Sequence, residues 1–116
     1  MNKIYYLSSC STCSRIIKEL GITPETFVMQ DIKTEKITPA QLDGMKKLTG
    51  SYEQLFSRVA LKYKALGLSK VKLEEADYRK YILEEYTFLK RPVMIIQNKV
   101  FVGNSKNTIA AAKAAI

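Results

Sequence analysis

Two cysteines, Cys10 and Cys13, are the residues of this chain best suited to covalent chemistry. They are spaced C-x-x-C within the run Tyr5-Tyr-Leu-Ser-Ser-Cys-Ser-Thr-Cys-Ser-Arg-Ile-Ile-Lys-Glu-Leu-Gly21. A thiolate is a nucleophile, and two thiols at this spacing can close a disulfide without moving distant backbone. The same pair could instead be a structural disulfide, half of a metal site, or two small buried residues. A zinc site normally needs four ligands, and the chain has no His and no other Cys, which argues against one within a single chain. Between a strand and a helix, C-x-x-C reads best as a redox or nucleophilic pair.

The flanking residues say how the thiols are held. An apolar run from Ile4 to Leu7 leads into a polar cluster, Ser8 to Thr12, and then Ile16, Ile17 and Leu20 recur at helical spacing before Gly21. The pattern predicts strand, loop and helix, with Cys10 at the helix N-terminus. Unpaired N–H groups and the positive end of the helix dipole favour an anion there. The Cys10 thiol is therefore expected below the free value of about 8.5. Thr12 and Arg15, on the first turns, are supporting residues, and Arg15 is expected to add positive charge nearby.

Composition bounds the rest. The chain has 116 residues, of which 47% are hydrophobic. That suits one domain, residues 1–116, with a core that needs no disulfide staples. The N-terminus enters a strand by residue 4, with no signal-peptide pattern, and no apolar run approaches the roughly 20 residues of a membrane span. The expected location is cytoplasmic, where such a cysteine pair is more often reactive than structural. Net charge is +8, from 19 Lys and Arg against 11 Asp and Glu. The basic residues are spread along the chain and no nucleic-acid motif is present, so direct nucleic-acid binding is not expected.

Beyond Gly21, Thr26 to Ile32 reads as a second strand, completing a βαβ unit with parallel strands. Thr38 and Pro39 open a helix with Leu42, Met45 and Leu48 as its apolar stripe and Gly50 at its end. Ser51 to Phe56 reads as a short helix, Val59 to Leu68 as helical turns and a loop, and Lys72 to Tyr86 as one longer helix. Residues 38–86 thus form a mostly helical insertion. Pro92 precedes an apolar strand, Val93 to Gln97; Asn98-Lys99 is the expected turn and Val100 to Gly103 its hairpin partner. Ser105 or Asn104 caps a final Ala-rich helix, Lys106 to Ala115. The order β-α-β, helical insertion, β-β-α is an α/β, thioredoxin-like fold with a four-stranded mixed sheet.

The chain resembles the glutaredoxin-like arsenate reductase (ArsC) family, which also contains the Spx-type transcriptional regulators. The matching pieces are Tyr6-Leu-Ser-Ser-Cys10-Ser-Thr-Cys13, Leu55-Phe-Ser-Arg58 with Tyr63-Lys-Ala-Leu-Gly-Leu68, Leu89-Lys-Arg91-Pro92-Val93, and Val102-Gly103-Asn104. The resemblance implies that Cys10 is the nucleophile, that Arg58 and Arg91 hold a small oxyanion, and that Pro92 lies against the thiol, typically after a cis bond. It implies no bound cofactor, and glutathione with glutaredoxin, or thioredoxin, as external reductant. Two departures stand out: no arginine follows Gly103, and the residue three after the nucleophile is Cys13 instead of a typical Ser. The second cysteine makes it the resolving thiol, in an enzyme acting on a small oxyanion or thiol substrate. The C-x-x-C is equally a feature of the Spx type, which implies a redox sensor that binds the α subunit of RNA polymerase, with Gly50 near the contact surface. Arg58, taken alone, reads equally as a surface ion pair.

Overall fold

A computed structural model describes residues 1–116. The chain divides into two compact units: Met1–Lys36 with Arg91–Ile116, and Ile37–Lys90.

The first unit carries the sheet. Its strands are β1 (Asn2–Tyr6), β2 (Phe27–Asp31), β3 (Val93–Ile96) and β4 (Lys99–Val102), in the order β2-β1-β3-β4. β1 runs parallel to β2, with Ile4 opposite Met29, and antiparallel to β3, with Ile4 opposite Met94. The helices of this unit are α1 (Ser11–Leu20) and, at the C-terminal end, Lys106–Ala115. This is the thioredoxin-like arrangement.

α1 forms because its apolar residues repeat at helical spacing, which buries Cys13, Ile16 and Leu20 on one face. It stops at Gly21, whose φ of 65° lies in the left-handed region and whose N–H bonds back to the last turn. The buried face packs into a core of Ile4, Ile16, Leu20, Ile22, Phe27, Met94, Ile96, Ile109 and Ala112. Burying one such aliphatic side chain stabilises by about 1.5–3 kcal/mol. Ile16, with no exposed surface, holds the first turns of α1 to the sheet, so Ile16→Ala would loosen the helix that carries both thiols.

The hairpin turn lies one residue earlier than expected. Gln97 and Asn98 have φ of 50° and 67°, and Lys99 already pairs with Ile96. A two-residue turn with positive φ at both positions matches the twist of paired strands, which fixes this register.

The second unit contains α2 (Pro39–Thr49), α3 (Leu61–Ala65) and α4 (Glu75–Glu84), so the C-terminal helix Lys106–Ala115 is α5. Thr38 caps α2 as expected: its side chain accepts from the Gln41 N–H, and Gln41 accepts from the Thr38 N–H, each at 3.1 Å. Leu42 and Met45 are buried, but Leu48, expected in the same stripe, is exposed. The region after Ser51 closes only a 3-10 turn, Glu53–Leu55. α4 starts at Glu75 and not at Lys72, because the Asp77 carboxylate accepts from the Glu74 N–H at 2.8 Å and fixes the N-terminus there. At its other end Tyr86–Phe88 is a separate 3-10 turn. The core of this unit is aromatic. Phe56 stacks on Phe88 at 5.0 Å and tilts against Tyr78 at 4.9 Å. No helix of the chain is long and apolar enough to cross a membrane.

Candidate active site

The site forms where β1 ends. Cys10 is the N-cap residue of α1, in extended conformation, and its N–H donates to the Leu7 carbonyl at 3.0 Å. Its own carbonyl accepts from the Ser14 N–H at 3.1 Å, the first bond of the helix. The neutral Cys10 thiol makes no capping hydrogen bond; the donors around it act on its thiolate. Partial burial pushes the thiol up, but the Cys13 N–H, the Cys13 thiol, the Thr12 N–H and the charge of Arg91 outweigh it, and Cys10 ends below the ordinary thiol value. Thr12 thus contributes through its backbone.

Cys13 lies one turn on, fully buried. Burial is the main reason its thiol is pushed up to about 11; the Leu7 backbone pulls it down, and the charge and sulfur of Cys10 add to the rise. Both cysteines are free thiols. Two chemically identical groups are therefore separated in acidity by position alone. One faces helix N–H groups and a cation; the other is sunk in the core.

Arg91 and Pro92 enter from the opposite side of the chain sequence. Pro92 is buried, the Arg91–Pro92 peptide is cis, and the Pro92 carbonyl accepts from the Gly103 N–H at 2.9 Å. β3 begins at the next residue and pairs with β1, so Arg91 is delivered beside the strand end that carries Cys10. Its charge acts on both thiols. One of its terminal nitrogens, Nη1, is buried without a hydrogen-bond partner. A buried guanidinium donor left unpaired is costly unless a ligand satisfies it.

Two expected residues have other surroundings. Arg15 is exposed and lines a groove between α1 and α5 with Glu19, Lys106 and Lys113. On a helix, five residues on from Cys10 is more than one turn away and around the barrel, so the cation acting on Cys10 is Arg91 instead. Arg58 belongs to the second unit. There it pairs with Glu53 at 2.7 Å, donates to the Tyr78 hydroxyl at 2.9 Å, and lies 5.6 Å from the centre of the Tyr78 ring.

Sequence reasoning missed Asp31. Its carboxylate accepts from the Ser8 hydroxyl at 2.5 Å and from the Lys33 N–H at 3.1 Å. Ser8 lies two residues before Cys10, so the end of β2 anchors the loop that presents the nucleophile. The Ser8 hydroxyl is also the main reason that the Asp31 carboxyl sits below its ordinary value. The available signal was topological: adjacent parallel strands bring their C-terminal ends together, and sites collect there.

The ArsC family model matches residues 5–112. This chain belongs to the ArsC family. Solved structures share the fold of this ArsC-family chain. An arsenate reductase from Vibrio cholerae has a TM-score of 0.74 at 15% identity, covering 99% of this chain and 97% of that one. An arsenate reductase (ArsC) related protein from Brucella melitensis has a TM-score of 0.71 at 24% identity, covering 95% and 92%. A protein described as ArsC-family-related, from Bacteroides fragilis, has a TM-score of 0.77 at 21% identity, covering 95% and 97%. A search of curated proteins matched none.

Proposed function

We propose that this ArsC-family chain is a cytoplasmic thiol oxidoreductase, with Cys10 as nucleophile and Cys13 as resolving thiol. One observation carries the reading: Cys10 caps the N-terminus of α1, and Cys13, one turn on, is fully buried. The thiolate is favoured where substrate can reach it, and the second thiol is held neutral in the core. Cys10 attacks an oxidised substrate, and Cys13 then displaces the adduct to leave a Cys10–Cys13 disulfide. No bound cofactor is needed; an external thiol system, glutaredoxin with glutathione or thioredoxin, restores both thiols. Arg91, whose charge acts on both thiols, would also favour an anionic substrate at Cys10.

Steady-state reduction assays with the full chain and each reductant test this. Cys10→Ser should abolish turnover, and Cys13→Ser should stall at an adduct on Cys10. A redox-sensing regulator would show no turnover. It would instead bind the C-terminal domain of the RNA polymerase α subunit, to an extent that depends on the Cys10–Cys13 bond. That outcome would replace the enzyme reading.

A further inference from the structure

After Glu85 the chain has no acidic residue, while Lys90, Arg91, Lys99, Lys106 and Lys113 all follow it. The last two fall on α5, and the fold brings them to the groove that α5 shares with α1. This groove has a volume of about 320 Å³ and lies wholly within the first unit. Arg15 and Glu19, about one turn apart, line it from α1. Lys106, Ala110 and Lys113 line it from α5 as one row, at the i, i+4 and i+7 spacing of a single helix face. All five are exposed, and buried Ile109 gives the groove an apolar floor.

None of these charges is paired. The chain forms two ion pairs, Arg58–Glu53 and Arg79–Asp43, and both belong to the second unit. Arg15 and Glu19 have a spacing at which helix side chains meet, yet they form no ion pair. Three cations thus converge on one trough with a single carboxylate among them. Like charges brought together repel, and an acidic occupant relieves that repulsion.

Shape and charge choose the occupant. A trough between two helices fits a third helix laid along it. The small side chain of Ala110 lets that helix approach closely between the two lysines. A nucleic acid asks for a longer run of cations facing its phosphates, and here Glu19 interrupts a set of three. A small free anion would be held by exposed side chains alone, against screening by water and salt.

We infer that the groove between α1 and α5 docks an acidic helix of a partner protein, with carboxylates set to meet Arg15, Lys106 and Lys113 and a basic residue set to meet Glu19. The lining fixes the spacing. Lys106 and Lys113 are about 10.5 Å apart along the axis of α5, and Arg15 and Glu19 about 6 Å apart along α1. The partner helix therefore bears two acidic residues seven positions apart, and an acidic and a basic residue four apart on the neighbouring edge. Neither cysteine lines the groove, so this docking does not rest on the thiol chemistry.

The test follows the fluorescence anisotropy of labelled probes titrated with the full chain at low salt. Three probes are alanine-based peptides of about 20 residues, long enough to be helical in water. One carries the charge pattern above on one face. The second carries the same residues scattered around the helix, and the third has every charge of the first reversed. A labelled single-stranded RNA is the fourth probe. The patterned helix should bind best, by roughly tenfold or more over the scattered one, as three exposed ion pairs imply. Lys106→Glu with Lys113→Glu should abolish that binding and improve binding of the reversed helix. Ala110→Trp fills the trough without changing its charge and should also abolish binding of the patterned helix. Both variants alter only exposed side chains, and unchanged circular dichroism would show that they fold. Equal binding of patterned and scattered helices, unchanged binding in Ala110→Trp, tighter binding of RNA, or no binding of any helix would overturn the proposal.

Discussion

Cys10 caps the N-terminus of α1, and Cys13, one turn on, is fully buried. This placement sets the two thiols apart in acidity. Partial burial raises Cys10, but the donors of the first turn and the charge of Arg91 outweigh it, whereas burial raises Cys13, so the pair holds its first negative charge at Cys10.

Labelling should show this order. Iodoacetamide reacts with thiolates, so its rate against pH reports each thiol. In Cys13→Ser, Cys10 should label with a midpoint below the ordinary value near 9. In Cys10→Ser, Cys13 should resist labelling until strongly alkaline pH, although loss of the Cys10 charge brings it somewhat below 11. Faster labelling of Cys13 than of Cys10 at neutral pH would contradict the assignment.

The same shift makes a stability prediction. The folded state holds the Cys13 proton up to about 11, while the unfolded chain releases it near the ordinary value of 9.0. Unfolding therefore releases a proton between those values, and stability falls as pH rises through that window. The contribution is full below pH 9 and lost above 11. Cys10 has the opposite sign, since its lowered thiol adds stability that is lost as pH falls. Comparing urea denaturation of wild type and Cys13→Ala from pH 8 upward isolates the buried thiol. The wild type should decline more steeply with pH than the variant, and parallel curves would show that Cys13 is not held protonated.

Much of this site could be read from residues close in sequence. Cys10 at the helix N-terminus, the stop at Gly21, and the caps Thr38 and Ser105 all rest on contacts within four residues, which local pattern captures. What was misread depends on distance. Leu48 has helical spacing with Met45, yet nothing covers it, because burial is decided by neighbours far along the chain. Arg15 is close to Cys10 in number but turned to the α5 groove. Asp31 is 23 residues from Ser8 and meets it only because β1 and β2 are parallel neighbours. The idle donor of Arg91 is likewise a property of packing.

The capping box of α2 should be worth measuring by itself. Thr38→Ala removes the acceptor for the Gln41 N–H and one half of the reciprocal pair. Loss of such a cap costs about 1 kcal/mol. Urea denaturation should show a lower midpoint with an unchanged slope. Cys10 labelling should keep its pH midpoint, because Thr38 belongs to the second unit. A moved labelling midpoint would show that the cap acts on the thiol site.

Arg91→Ala should change the redox poise of the pair. The wild-type disulfide closes a very short loop, so it restrains the unfolded chain little and adds little stability. Its potential is set instead by how strongly the reduced form is favoured. Helix N–H groups and Arg91 both favour the Cys10 thiolate, which stabilises the reduced form and makes the disulfide more oxidising than a structural one. The wild-type potential should therefore lie above about −300 mV. Removing Arg91 takes away one of those contributions. The Cys10 thiol should rise, and the potential should fall by about 30 mV for each pKa unit, since one unit is about 1.4 kcal/mol. A glutathione redox titration of both proteins, with alkylation and mass analysis at each point, reads the two potentials directly. An unchanged potential in Arg91→Ala would mean that the guanidinium does not stabilise the thiolate, and that the helix terminus and Cys13 set the reactivity of Cys10 without it.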